Sequence, residues 1–349
     1  MLKSVSSSIP NLVLTSSFAL AVGTFFPTTT LASSFSKIYV FSDSLSDAGN
    51  ALLITEAANA SDPSIPIIPP AALGYVDGQF ANGDIWVDRL ANRLGLNSPP
   101  VSFLVGGDNE NGVNFAINSA TTGSLSTFPL PLPGFVGLEQ QIDQFQADNS
   151  IADPNALYIL WAGANDYLGG GVVDPSEPVM NLSSAVEQLY NLGSRRFLVA
   201  NLPALGQTPL AISRGNDVVN GLNQVTAGHN FLLSESLQTL SFLPGINLNL
   251  LDVASLFERT ITQPDDFGFS FVDVPCLANS PLLNPPSTIP SICNNPEQYI
   301  FWDDLHPSAA THELIGDLAF QTLSVPETSP IVGVLAFGTL IATIRILKG

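Results

Sequence analysis

Apolar residues along this chain follow two alternating patterns. Five short apolar runs, Lys37–Phe41, Val113–Ala116, Leu157–Trp161, Phe197–Ala200 and Ile246–Leu251, each give way to polar or Gly-rich residues. Runs of that length read as buried strands. Between them, apolar positions recur every three or four residues. Asp84–Leu94 puts Trp86, Leu90 and Leu94 on one helical face, and Leu138–Phe145, Leu182–Leu192 and Leu222–Leu240 have the same spacing. A last helix is expected from near Pro307 to about Leu323, with proline in its first turn. Strand–helix alternation predicts a three-layer α/β/α sandwich around a five-stranded parallel sheet, with ligands bound beyond the carboxyl ends of its strands. Stretches near 55–83, 121–136, 168–180 and 265–298 carry Pro and Gly and are expected as loops over one end of the sheet. With no internal repeat and no dividing linker, residues 33–324 read as one domain.

The two ends do not follow this alternation. Lys3 precedes an apolar stretch from Leu12 to Phe26, and small residues follow at Thr30, Ala32 and Ser33. That is the layout of an export signal over 1–32. A membrane anchor would need a longer stretch, less interrupted by polar residues. At the other end, Val325-Pro326-Glu327-Thr328-Ser329-Pro330 leads into apolar Ile331–Ile344, with Arg345 and Lys348 behind it. A helix of that length reaches about 21 Å, short of a roughly 30 Å hydrocarbon core. Residues 325–349 resemble the PEP-CTERM sorting signal of exporting bacteria, with Thr328 where that motif usually has proline. The resemblance implies transient anchoring through 331–347, a processing protease as partner, and a body outside the cytoplasm. A plain tail anchor is the other reading.

Charge narrows the function. Only 11% of residues are charged while 45% are hydrophobic, which excludes a disordered chain. Removing both ends takes three of ten bases and one of thirty acids, so the body carries −22. Nucleic acid and anionic surfaces are poor partners for it. Cys276 and Cys293 flank a proline-rich loop with no helical period, and a disulfide there suits an exported protein. Two sulfurs without a nearby His make no zinc site.

Candidate chemistry lies just past the strands. The first strand runs into Ser42-Asp43-Ser44-Leu45-Ser46-Asp47, where a serine at a sharp strand exit is exposed and neighbouring amides can face an oxyanion. Ser and Asp in that place also make ordinary turns and caps. Gly163-Ala164-Asn165-Asp166 offers a side-chain amide after the third strand. Asp303 and His306 are three apart, so the carboxylate can hold one ring nitrogen and leave the other free. Of the other histidines, His229 reads as structural within a helix and His312 as a surface helix residue.

Phe41–Asn50, Gly163–Asp166 and Asp303–His306, in this order, resemble the GDSL lipase/esterase family, also called SGNH hydrolases. Gly78–Gly83, Val113–Ala116 and Asn201–Gly206 agree, and the resemblance spans roughly residues 36–324. It implies a flavodoxin-like sheet and a carboxylic ester hydrolase without metal or organic cofactor. It further implies Ser44 as nucleophile, His306 as base and Asp303 as its orienting carboxylate. The oxyanion hole would be the Ser44 amide, the Ser119 amide and Asn165. Ser42 and Ser119 stand where the family usually has glycine, and Ser119 is costly if its φ is positive. Acyl transfer, thioester or carbohydrate-ester hydrolysis would use the same parts, and a non-catalytic envelope or matrix binding protein is the rival of another class. The apolar stretches Ile65–Leu73 and Phe128–Phe135 would line an acyl groove or pack as lids.

Overall fold

The computed structural model describes residues 35–96, 100–105, 110–281 and 289–324. The expected export signal and C-terminal sorting segment lie outside these residues. In chain order the elements are β1 (Ile38–Ser42), α1 (Asn50–Ser61), α2 (Trp86–Arg93), β2 (Val101–Ser102), β3 (Gly112–Asn114), α3 (Leu138–Asp148), β4 (Leu157–Trp161), α4 (Ala164–Leu168) and α5 (Ser176–Leu192). There follow β5 (Arg196–Ala200), α6 (Pro209–Ser213), α7 (Asn216–Leu240), β6 (Asn247–Leu251), α8 (Val253–Thr262), β7 (Phe271–Pro275), β8 (Leu277–Ala278), β9 (Ser291–Ile292), β10 (Tyr299–Phe301) and α9 (Ala309–Ser324).

The central sheet is parallel, in the order β2-β3-β1-β4-β5-β6. All five expected strands are in it. The sixth, β2, is a two-residue edge strand too short to leave a pattern. Alternate residues of each strand feed opposite layers. Ile38, Val40, Ile159 and Trp161 pack with Trp86, Leu90, Phe257 and Ile315 on one face. Tyr39, Phe41, Tyr158 and Leu160 pack with Ile142, Phe145, Leu182 and Leu233 on the other. The strand order reverses at β1: the chain steps from it to β3 on one side, then crosses to β4 on the other. The crevice such a reversal opens lies at the carboxyl end of β1, where Ser44 sits.

Four expectations need correction. The stretch from 55 begins inside a helix, because α1 runs to Ser61. Its buried positions are Asn50, Ala51 and Thr55, so it carries no apolar stripe to read. The 265–298 insertion is not all loop: β7 pairs with β10, and β8 pairs antiparallel with β9. The 168–180 insertion ends early, since α5 starts at Ser176. Pro307 does not open the last helix; it bridges back to Phe301, and Ser308 Oγ takes the Thr311 amide as α9 starts at Ala309.

His312 is likewise not a surface residue. It is buried where α9 crosses α2, its Nδ1 accepts the Trp86 amide at 3.3 Å, and burial pushes its pKa down to about 3. Gly316 permits that close crossing, since a Cβ there would lie 2.7 Å from the Arg89 Cβ.

Candidate active site

Each candidate side chain sits just beyond a strand. Ser44 follows β1 by two residues and is only 6% exposed. The turn that presents it is held from within: the Leu45 amide donates to Asp43 Oδ1 at 3.0 Å and the Ser46 amide to the Asp43 carbonyl at 3.1 Å. Ser42 ends the strand in ordinary extended backbone. Its hydroxyl donates to the Trp161 carbonyl at 2.6 Å, tying β1 to β4. Gln141 then brackets the same residue, accepting its N–H and donating to its C=O, both at 2.9 Å. A serine in this place therefore needs no glycine-like backbone, and its hydroxyl is satisfied.

Asp303 and His306 lie on the turn after β10. His306 Nε2 is 3.0 Å from Ser44 Oγ, and His306 Nδ1 is 2.8 Å from Asp303 Oδ2. Asp303 is fully buried and accepts the Leu305 and His306 amides at 2.8 and 2.7 Å. Tyr75 donates its phenol to Asp303 Oδ2 at 2.5 Å. Burial works to raise the Asp303 pKa, but the His306 charge and these hydrogen bonds prevail and hold it below the usual carboxylate range. The Phe80 ring covers His306 at 5.1 Å between centroids.

Ser119 and Asn165 complete the cluster. Ser119 has φ 66°, the left-handed conformation in which a β-carbon is unfavourable. Its carbonyl takes the Thr127 amide at 2.9 Å. Among the described residues, neither the Ser44 nor the Ser119 amide donates to a protein acceptor. Asn165 is the second residue of α4, which Gly163 precedes with φ 128°. Its Nδ2 donates to the Ala120 carbonyl at 3.0 Å and faces Asp43 Oδ2 at 3.4 Å.

Ser44 and Asn165 stand where two cavities meet. A narrow slot of about 30 Å³ runs along Leu45, Ala164, Leu205, Phe257 and Phe301. An open cleft of about 300 Å³ lies on the other side, lined by Ser119 and His306, with Ile68, Phe80, Phe128 and Leu130 as apolar wall. The two apolar stretches supply both cleft wall and packing. Ile68 and Phe128 face the cleft, while the Phe128 and Phe135 rings stack at 3.9 Å and pack on the Ile68–Phe80 cluster.

Three contributors escaped the sequence reading. Tyr75 left no signal, being 228 positions from its partner. Asp43 stood in the motif beside Ser44; burial pushes its carboxyl up, to about 7. Asp47, also raised to about 7 by burial, gathers the amides of Gly49, Asn50 and Ala51 at the head of α1 and that of Asn118 at 2.9 Å. It thereby joins the serine turn to the Ser119 turn. His229 lies within α7, its Nδ1 2.8 Å from the Tyr167 phenol, and belongs to the packing beneath α4. The Cys276–Cys293 disulfide closes the β8–β9 hairpin, whose Leu277 amide donates to the Trp302 carbonyl at 2.6 Å, next to Asp303.

Known proteins similar in sequence include esterases and an acyltransferase. Two GDSL esterase/lipases of Arabidopsis thaliana are 29% and 30% identical to this chain, over 80% and 83% of it and 87% and 83% of their own lengths. The phosphatidylcholine-sterol acyltransferase of Aeromonas hydrophila is 27% identical, over 82% of this chain and 89% of its own. Such relatives support hydrolase or acyltransferase activity on esters. The profile of the GDSL-like lipase/acylhydrolase family matches residues 38–319. The chain belongs to that family.

Proposed function

We propose that this protein is a serine esterase that hydrolyses carboxylic esters through an acyl-Ser44 intermediate. The observation that carries the reading is the continuous relay Ser44 Oγ–His306–Asp303, at 3.0 and 2.8 Å, beside two amides that donate to no acceptor among the described residues. His306 Nε2 takes the hydroxyl proton as Ser44 Oγ attacks the ester carbonyl. Asp303, fixed by Tyr75 and two backbone amides, keeps the other ring nitrogen as donor. Charge on the carbonyl oxygen is met by the Ser44 and Ser119 amides and by the Asn165 N–H now aimed at Asp43. One such donor is worth about 2.7–4 kcal/mol of transition-state stabilisation. His306 then returns the proton to the leaving alcohol, and water releases the acid by the reverse course.

The two cavities divide the substrate. The leaving oxygen has to face His306, so the alcohol occupies the open cleft. The acyl group then points away into the slot. An alcohol in place of water would make the same site an acyltransferase, and the open cleft leaves room for one. The disulfide and the expected segments 1–32 and 325–349 support an exported body that is cut by a sorting protease and works outside the cytoplasm.

Ser44→Ala tests the assignment. The variant should melt as wild type does and lose p-nitrophenyl butyrate hydrolysis by at least about 10³-fold. Wild-type turnover by a folded Ser44→Ala protein would refute it.

A further inference from the structure

Seven basic residues remain in the body of a chain carrying 29 acids, and six of them are engaged. Arg89 pairs with Asp84 and Arg93 with Asp317. Arg195 donates to the Tyr190 and Ser194 carbonyls, Arg196 lies over the Phe35 ring and Arg259 over the Phe267 ring. Lys37 acts electrostatically on Asp153. Arg214 differs. Among the described residues its guanidinium meets no carboxylate, carbonyl or ring, and it lines the same cleft as Ser44 and His306. Among the described residues no carboxylate lines that cleft. Arg214 is also held in register with the relay. It caps the end of α6, and the Leu210 amide in that helix donates to the Asp304 carbonyl at 2.8 Å, within the Asp303–His306 turn.

A guanidinium offers five donors in a planar fork that matches phosphate or carboxylate oxygens. In so acidic a body an anion is repelled almost everywhere, so one cation on the wall of the cleft that holds the relay decides where an anionic group settles. The cleft takes the alcohol part of the ester under the reading above, on which this inference rests. We propose that Arg214 reads a negative charge on that part: the preferred substrate is an ester whose leaving alcohol carries a phosphate or carboxylate group.

Two matched pairs of soluble esters test this at pH 8 and low salt. One is 1-butyryl-glycerol against 1-butyryl-glycerol 3-phosphate, the other p-nitrophenyl butyrate against 4-butyryloxybenzoate. The reading is the ratio of kcat/KM, anionic over neutral. Arg214→Gln should lower this ratio about fivefold in at least one pair, and Arg214→Glu further, while Arg214→Lys keeps most of it. The pair that responds identifies phosphate or carboxylate. Adding 0.5 M salt, on the order of a 4 Å screening length, should shrink the wild-type ratio but not that of Arg214→Gln. Arg259→Gln, an equal charge change on α8, should retain the wild-type ratio. Unaltered ratios in Arg214→Gln for both pairs would overturn the proposal and leave the esterase reading standing. Failure of the wild type to hydrolyse any of the four esters would instead sink the esterase reading.

Discussion

At position 119 a serine holds its backbone at φ 66°, and its amide is one of the three proposed oxyanion donors. The left-handed conformation costs a residue with a β-carbon about 1–2 kcal/mol. A glycine there would escape that cost but lose about 0.4–1 kcal/mol more chain entropy on folding. The first effect is the larger. Ser119→Gly should therefore raise the melting temperature by about 1–3 °C without lowering kcat, because the donor is backbone. Calorimetry and ester kinetics on the purified variant check both, and a drop in melting temperature would show that the serine side chain is needed. Residues of this kind differ in how far sequence betrays them. Asp303 and His306 could be paired on paper because one turn carries both. Ser44 was visible as a serine at a strand exit, but its partner is 262 positions away and only the topology joins them. Tyr75 was invisible, since nothing around it distinguishes a phenol bound for a buried carboxylate from one packed in a core.

Among the elements, the strands were legible because a fully buried parallel sheet needs short apolar runs, and this chain has them. Helices with one apolar face were legible for the same reason. The helix α1 was not, because two of its three buried residues are the polar Asn50 and Thr55; Asn50 Nδ2 donates to the Asn114 and Ala116 carbonyls at 3.0 and 2.8 Å. A helix that docks through hydrogen bonds leaves no hydrophobic period. Misreading His312 had a related cause: the buried face of α9 mixes Ile315 and Ala319 with Thr311, His312 and Gly316, so its apolar period does not extend to the histidine. The β8–β9 hairpin has little core of its own, and the disulfide closes it beside Trp302 and Asp303. In the chain-entropy model a loop of this size contributes about 3 kcal/mol. Replacing both cysteines with serine should thus lower stability by roughly that amount in denaturant titration. It should also reduce kcat, because the Leu277–Trp302 hydrogen bond steadies the residue before Asp303. Unchanged stability and unchanged kcat together would mean that the hairpin holds its place unaided.

For the molecule as a whole, the excess of acids makes pH a strong lever. Asp43 and Asp47 are buried and raised to about 7, well above their unfolded values. Such groups bind protons more readily in the folded chain, so their effect favours folding more as pH falls through 7. Between pH 8 and 6.5 the two together should add about 1–2 kcal/mol of stability. Below about 6.5 the trend flattens: His229 and His312, lowered by burial to about 4 and about 3, stay neutral in the fold while the unfolded chain protonates. At the acid end Asp303 works the other way, because its lowered pKa is a source of stability that protonation removes. Melting temperature should accordingly rise from pH 8 to 6.5, and a fall over that interval would contradict the burial assigned to these carboxyls.

The same whole-molecule convergence underlies the chemistry, since segments near 44, 119, 165 and 303–306 must meet at one point. A fluorophosphonate probe followed by peptide mapping tests this most directly, because it labels only a serine activated by its base. The adduct should fall on Ser44 alone and disappear in His306→Ala. Folded wild-type protein that takes no label, or takes it on another serine, would contradict the account.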